Sequence, residues 1–208
     1  PRQAVFRKLE GAKVGERDVV HYALGAGEGE IIERLLGEKR EVIVLRNNII
    51  HTVDSIIEEE GRLIPVEIKT TRASPPSIKP HYLLQLGMYC LALQVKAGKL
   101  VIVYLNDAII EAYNVSFSPE TLVEIDRFEQ AKRDEILEAI AERNPMLASC
   151  VAGNPDLDWK CLTCEFWEKC GEEETSFRVD LPEPLKPGRG YEEAVLREAS
   201  KAEHYGCT

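Results

Sequence analysis

The chain reads as a mixed α/β fold: one central sheet with parallel and antiparallel strands, flanked by helices. Three observations predict it. The strand-like runs come as hairpins joined by turn signals, not as single strands isolated between helices. The element order is helix, three strands, helix, two strands, helix, unlike the strict alternation of a doubly wound parallel sheet. A hydrophobic content of 44% over 208 residues suits one packed domain with an appendage.

The elements follow in order. Residues 1–14 are basic, with Arg2, Arg7, Lys8 and Lys13. Residues 15–37 read as a helix interrupted by Gly25, Gly27 and Gly29 and closed by Gly37. Glycines there are costly and suggest close approach of a backbone or ligand. Strands are expected at Glu41–Arg46, Ile49–Glu58 and Arg62–Thr70, with turns at Asn47-Asn48 and Glu60-Gly61. After the Ser- and Pro-rich loop Thr71–Pro80, a helix runs through His81–Val95. Leu100–Leu105 and Ala108–Ser116 form a second hairpin around Asn106-Asp107. Ser118 caps a long helix with Pro119 at its first position and an apolar stripe of Leu122, Ile125, Phe128, Ile136, Leu137 and Ile140. The organisation is then 1–143 core with its N-terminal helical region, 144–170 cysteine segment, and 171–208 acidic, Pro-rich tail.

Charge and cysteine usage narrow the function. With 36 acidic and 26 basic residues the net charge is −10, which argues against nucleic-acid binding through bulk charge. It leaves open a nucleic-acid enzyme whose acidic site is neutralised by cations. No stretch approaches the roughly 18 apolar residues of a membrane span. The start, Pro1-Arg2-Gln3-Ala4, is not a secretory leader, and without an initiating Met residues upstream are expected to have been removed. The cysteines are Cys90, Cys150, Cys161, Cys164, Cys170 and Cys207. In a chain expected in the reducing cytoplasm, such clustering points to a metal or cluster rather than disulfides.

The hairpin Ile49–Thr70 carries the first constellation. A two-residue loop at Glu60-Gly61 pairs Glu59 with Arg62 and, counting back, Asp54 with Glu67. Asp54, Glu67 and Lys69 then share one face, facing outward. Val53, Ile57, Ile64, Val66 and Ile68 form the core face. Two adjacent carboxylates repel, and a cation such as Mg²⁺ or Mn²⁺ removes that cost. Lys69 suits orienting a water or stabilising charge on a phosphoryl oxygen. On the next helix Gln85 and Tyr89 share a face with His81, Met88 and Ala92. Gln85 suits holding a water or phosphate and Tyr89 a DNA contact, against the plainer reading of Tyr89 as core.

The second constellation is Cys161-Leu-Thr-Cys164 followed by Cys170. This spacing favours a [4Fe–4S] cluster or Zn²⁺, both needing four ligands. Cys150 is the available fourth, with Cys207 and His204 more remote. Cys90, within an apolar helix, reads as a buried thiol.

These residues resemble the RecB-like nucleases of the PD-(D/E)xK superfamily, a restriction-endonuclease-like fold. The resemblance is nearest to the iron–sulfur, CRISPR-associated RecB-like exonucleases. It spans Pro1 to about Cys170 and rests on His51-Thr-Val-Asp54, Val66-Glu67-Ile68-Lys69-Thr70-Thr71, Gln85-Leu-Gly-Met-Tyr89 and the cysteines. It implies metal-dependent DNA cleavage, with the cation on Asp54, Glu67 and the Ile68 carbonyl. Lys69 is then the catalytic lysine, and Gln85 and Tyr89 form the Gln-x3-Tyr motif. Two departures stand out. Gly29 occupies the place of the usual metal-binding His, leaving Glu28, Glu30 or Glu33 as substitutes or the metal site weakened. The usual cysteine before Pro-Arg lies upstream of Pro1 if present, so the fourth cluster ligand is Cys150 or that residue. The expected activity is an exonuclease on single-stranded DNA or DNA ends, in CRISPR spacer acquisition with its adaptation proteins or in DNA repair. Its rival is a scaffold that keeps the fold, has lost metal affinity, and binds DNA or a partner nuclease. A Zn-binding adaptor is the third reading.

Overall fold

A computed structural model of the chain describes residues 2–11, 39–75, 78–151, 160–161, 164–166, 169–170 and 181–185. The expected glycine-interrupted helix at 15–37 and nearly all of the tail lie outside these residues. The elements are α1 (Arg2–Glu10), β1 (Lys39–Arg46), β2 (Ile49–Glu59), β3 (Arg62–Thr71), α2 (Pro80–Leu93), β4 (Ala97–Tyr104), β5 (Ile109–Ser116) and α3 (Pro119–Ala141). Two compact units divide the chain: 25–126 with 182–208, and 1–24 with 127–181.

The first unit holds a five-stranded mixed sheet in the order β1-β2-β3-β4-β5. Only β3 and β4 are parallel, and α2 is the crossover between them. The turns are where their chemistry places them. Asn47 and Asn48 have φ of 49° and 61°, and Glu60 and Gly61 have 53° and 74°. Two successive positive φ values match the right-handed twist of a hairpin. Glu59 accordingly pairs with Arg62, and the ladder runs back to Ser55 opposite Val66.

Helix α2 starts at Pro80 and stops at Leu93, two residues before the expected end, because Gln94 takes a left-handed conformation (φ 58°). Its buried residues include Tyr82, Leu83, Leu86, Tyr89 and Cys90, and its main packing is on β3 and β4. Leu83, Leu86, Leu100 and Ile102 are fully enclosed. Ser118 caps α3 as expected, its hydroxyl accepting the Thr121 N–H at 3.1 Å. Leu137 departs from the expected stripe: it is 57% exposed, and Ala139 is the residue buried there, with Ile136 and Ile140 packed beside it.

The other unit contains α1, which the basic character of residues 1–14 concealed. Val5, Phe6 and Leu9 are its apolar positions, at helical spacing. Val5 packs with Ala139 and Ala148. Phe6 stacks on Phe166 with ring centroids 5.0 Å apart, beside Cys150 and Cys170.

Candidate active site

The site is built where β2, β3 and α2 meet. The β2–β3 ladder has ended one step before Asp54 and Glu67, which its register sets opposite one another. There the Asp54 carboxylate accepts the Ile68 N–H at 2.9 Å. A side chain thus takes over from the backbone partner, fixing Asp54 against the strand that carries Glu67. Two residues along β3, the Lys69 ammonium donates to Gln85 Oε1 at 3.0 Å. Gln85 Nε2 in turn donates to the Tyr89 hydroxyl at 2.7 Å. The i, i+4 spacing of Gln85 and Tyr89 on α2 makes this relay possible.

One expectation needs correction. Glu67 does not face outward: its exposure is 0%. Burial along β3 does not alternate: Pro65, Val66 and Glu67 are buried in succession, because α2 packs on the side that carries the site. Of the residues expected on the core face, Val53 and Val66 are enclosed while Ile57, Ile64 and Ile68 are half-buried, and Val53 packs with Tyr89, on the side that α2 covers. Tyr89 serves both readings at once. It is buried with Val53 and Ile56, and its hydroxyl belongs to the polar relay.

Burial dominates the electrostatics of Glu67 and pushes its carboxyl up to about 8; Lys69 opposes the shift and Asp54 adds to it. Neither carboxylate oxygen has a well-aligned hydrogen bond. Lys69 lies against one as an ion pair. A buried acid in an ion pair with one lysine, beside a second carboxylate, is a donor set that suits a hard divalent cation. Such a cation would stabilise both ionised groups. Among the described residues, no group of three or more His, Cys, Asp and Glu side chains is arranged to hold a metal. Glu28, Glu30 and Glu33, the alternatives to the missing His, lie outside those residues.

Tyr82 is a site neighbour that sequence reasoning missed. The Lys69 ammonium sits 5.8 Å from its ring centroid, within cation–π range. Its spacing, three residues before Gln85 and seven before Tyr89, was the available signal. His51 is buried on β2, and burial, with the Arg46 charge, holds its imidazole below the usual range.

The cysteines fall in the other unit. Cys150 Sγ lies 3.3 Å from Cys170 Sγ, and Cys164 packs on the same apolar cluster. The Cys164 N–H donates to the Cys161 carbonyl at 3.2 Å, closing the turn of the Cys-x2-Cys segment. Cys90 is fully buried and its thiol is pushed up to about 12 by that burial.

Residues 9–171 match the PD-(D/E)XK nuclease superfamily. The chain therefore belongs to that superfamily, whose members are typically metal-dependent nucleases. A solved structure titled "Crystal structure of SSO0001" is similar, with 21% identity and a TM-score of 0.52, over 82% of this chain and 80% of that one. At that identity the likeness shows the fold. No curated protein matches the chain. No helix among the described residues is long and apolar enough to cross a membrane.

Proposed function

We propose that this chain is a Mg²⁺- or Mn²⁺-dependent deoxyribonuclease acting on single-stranded DNA or DNA ends. The observation that carries the reading is the fully buried Glu67 beside Asp54, with Lys69 held between Glu67 and Gln85. Asp54, Glu67 and the Ile68 carbonyl would hold the cation, whose chemistry there is to polarise the scissile phosphate and acidify a water. Lys69 stabilises the charge that gathers on the phosphoryl oxygens during attack. Gln85 fixes the Lys69 ammonium, and Tyr89 fixes Gln85. Trimming of DNA for CRISPR spacer acquisition, or DNA repair, is the setting this activity fits. The cysteines belong to the proposal as a structural [4Fe–4S] or Zn²⁺ site on Cys161, Cys164, Cys170 and Cys150, supported by their spacing and by the meeting of Cys150 and Cys170.

The test is incubation of the purified protein with end-labelled single- and double-stranded DNA, with Mn²⁺ and with chelator. Cleavage that requires the cation supports the reading. DNA binding without cleavage at any cation concentration replaces it with the scaffold reading.

A further inference from the structure

We propose that Arg72 and Lys79, on the segment joining β3 to α2, hold the phosphate backbone of the DNA substrate beside the acidic site. The inference rests on the nuclease reading and adds to it a path for the strand.

The charge distribution supplies the first argument. Residues 68–106 contain no Asp or Glu, although the chain has 36 of them, and they carry Lys69, Arg72, Lys79, Lys96 and Lys99. An acid-free basic stretch in a chain of net charge −10 answers the objection that overall charge repels DNA. These cations are not equivalent. Lys69 belongs to the site and Lys99 is paired with Glu59. Lys96 follows the C-terminal end of α2. Among the described residues, Arg72 and Lys79 make no ion pair.

Placement supplies the second argument. Lys69 and Gln85 touch, joining β3 to α2 at one point. From that point Arg72 lies three residues onward in β3's direction, about 10 Å at strand rise. Lys79 lies six residues back along α2's direction, about 9 Å at helical rise. Chain continuity puts both on the side where β3 ends and α2 begins. The backbone of Arg72 is pinned, its carbonyl accepting Asn106 Nδ2 at 2.7 Å, while the side chain is exposed. The Thr71 carbonyl accepts the Leu105 N–H at 2.9 Å. Lys79 stands at the N-cap of α2, which has no side-chain cap and no acid in its first turn. A cation at the positive end of a helix is locally unfavourable. A phosphate bound there would reverse the sign of that interaction.

The test is binding of a fluorescent single-stranded DNA oligonucleotide, in chelator, over a range of KCl concentrations, paired with cleavage kinetics in Mn²⁺. For Arg72→Ala with Lys79→Ala, the slope of log Kd against log salt falls by about 1.4, or roughly 0.7 for each phosphate that is no longer neutralised. KM rises about tenfold and kcat falls less than threefold. The charge-conserving Arg72→Lys with Lys79→Arg keeps the wild-type slope, and Lys99→Ala, whose partner is Glu59, keeps both slope and KM. An unchanged slope and KM in the alanine pair, with wild-type protein cleaving normally, overturns this proposal alone. A wild-type protein that does not cleave overturns the nuclease reading, and this inference with it.

Discussion

Removing a carboxylate entirely from water, as Glu67 is removed, costs several kcal/mol unless the group is neutralised or paired. In this fold the Lys69 ion pair offsets part of that cost and neither Glu67 oxygen has a well-aligned hydrogen bond, so a cation bound at Glu67 would relieve the remainder. Glu67→Gln keeps the shape and removes the charge. Expected are a loss of Mn²⁺-dependent cleavage of at least about a hundredfold, a metal-free melting temperature no lower than wild type, and no rise in melting temperature on adding Mn²⁺. Wild-type cleavage by this variant removes Glu67 from the site. Lys69 acts differently. In the proposed nuclease it would be one cation among many phosphate contacts, so its share of DNA affinity would be small, while charge on the scissile phosphate would grow in the transition state. Lys69→Ala therefore lowers kcat about a hundredfold or more and changes DNA affinity less than about threefold. Equal losses in both, measured by single-turnover cleavage and equilibrium binding, reduce Lys69 to an ordinary phosphate contact.

Helix α2 has to lie close on the sheet for Lys69 to reach Gln85, and Gly98 at the start of β4 permits that approach. A Cβ there would stand 2.7 Å from Leu86 Cδ1 and 3.0 Å from the Pro65 carbonyl oxygen. Gly98→Ala pushes on both α2 and the β3 backbone and costs about 1–3 kcal/mol by overpacking, read from chemical denaturation. Gly87→Ala, whose added Cβ meets only the tips of side chains, costs less, because alanine also favours the helix. The reverse order would mean α2 is not seated by the Gly98 gap. These elements show what was legible in the sequence. Hairpin register followed from Glu60-Gly61, since positive φ at two residues fixes the turn and the turn fixes the pairing. Asp54, Glu67 and Lys69 could therefore be set on one face by counting. That α2 would close over that face could not be counted, because no local pattern in β3 distinguishes a solvent-facing carboxylate from one beneath a helix. The residues of α1 were visible, but four basic side chains in residues 1–14 masked the apolar spacing of Val5, Phe6 and Leu9.

At the scale of the molecule, the question is what holds the cysteine segment to the fold. Read as rich in Pro, Gly and Asp and poor in apolar side chains, residues 144–160 are expected not to dock unaided, yet the residues that open the segment have packing of their own. Ala148 is buried with Val5 and Ala139, and Cys150 with Phe6 and Phe166. Ser149 donates its N–H to Glu135 at 3.1 Å and accepts from Lys132 at 2.9 Å. Arg7 reaches Glu165 at 2.5 Å, and Lys169 pairs with Glu10. Exposed pairs of this kind contribute about 1 kcal/mol or less, so the apolar cluster carries most of this docking. The proposed cluster or Zn²⁺ on the cysteines would add to it by linkage, because its ligands would come together only in the folded state. The two contributions separate experimentally. Cys164→Ser leaves Phe6, Phe166 and Cys150 in place and removes one ligand. The variant loses any cluster colour or bound zinc and melts at a lower temperature, and its melting temperature no longer responds to metal chelation. Cleavage falls only as far as the fold is disturbed, since the acidic residues belong to the other unit. A Cys164→Ser protein that keeps the full wild-type melting temperature assigns the docking to the apolar cluster alone and ends the structural role of the metal. A protein whose cleavage is switched by the oxidation state of the cluster, with its melting temperature unmoved, makes the cysteines regulatory instead.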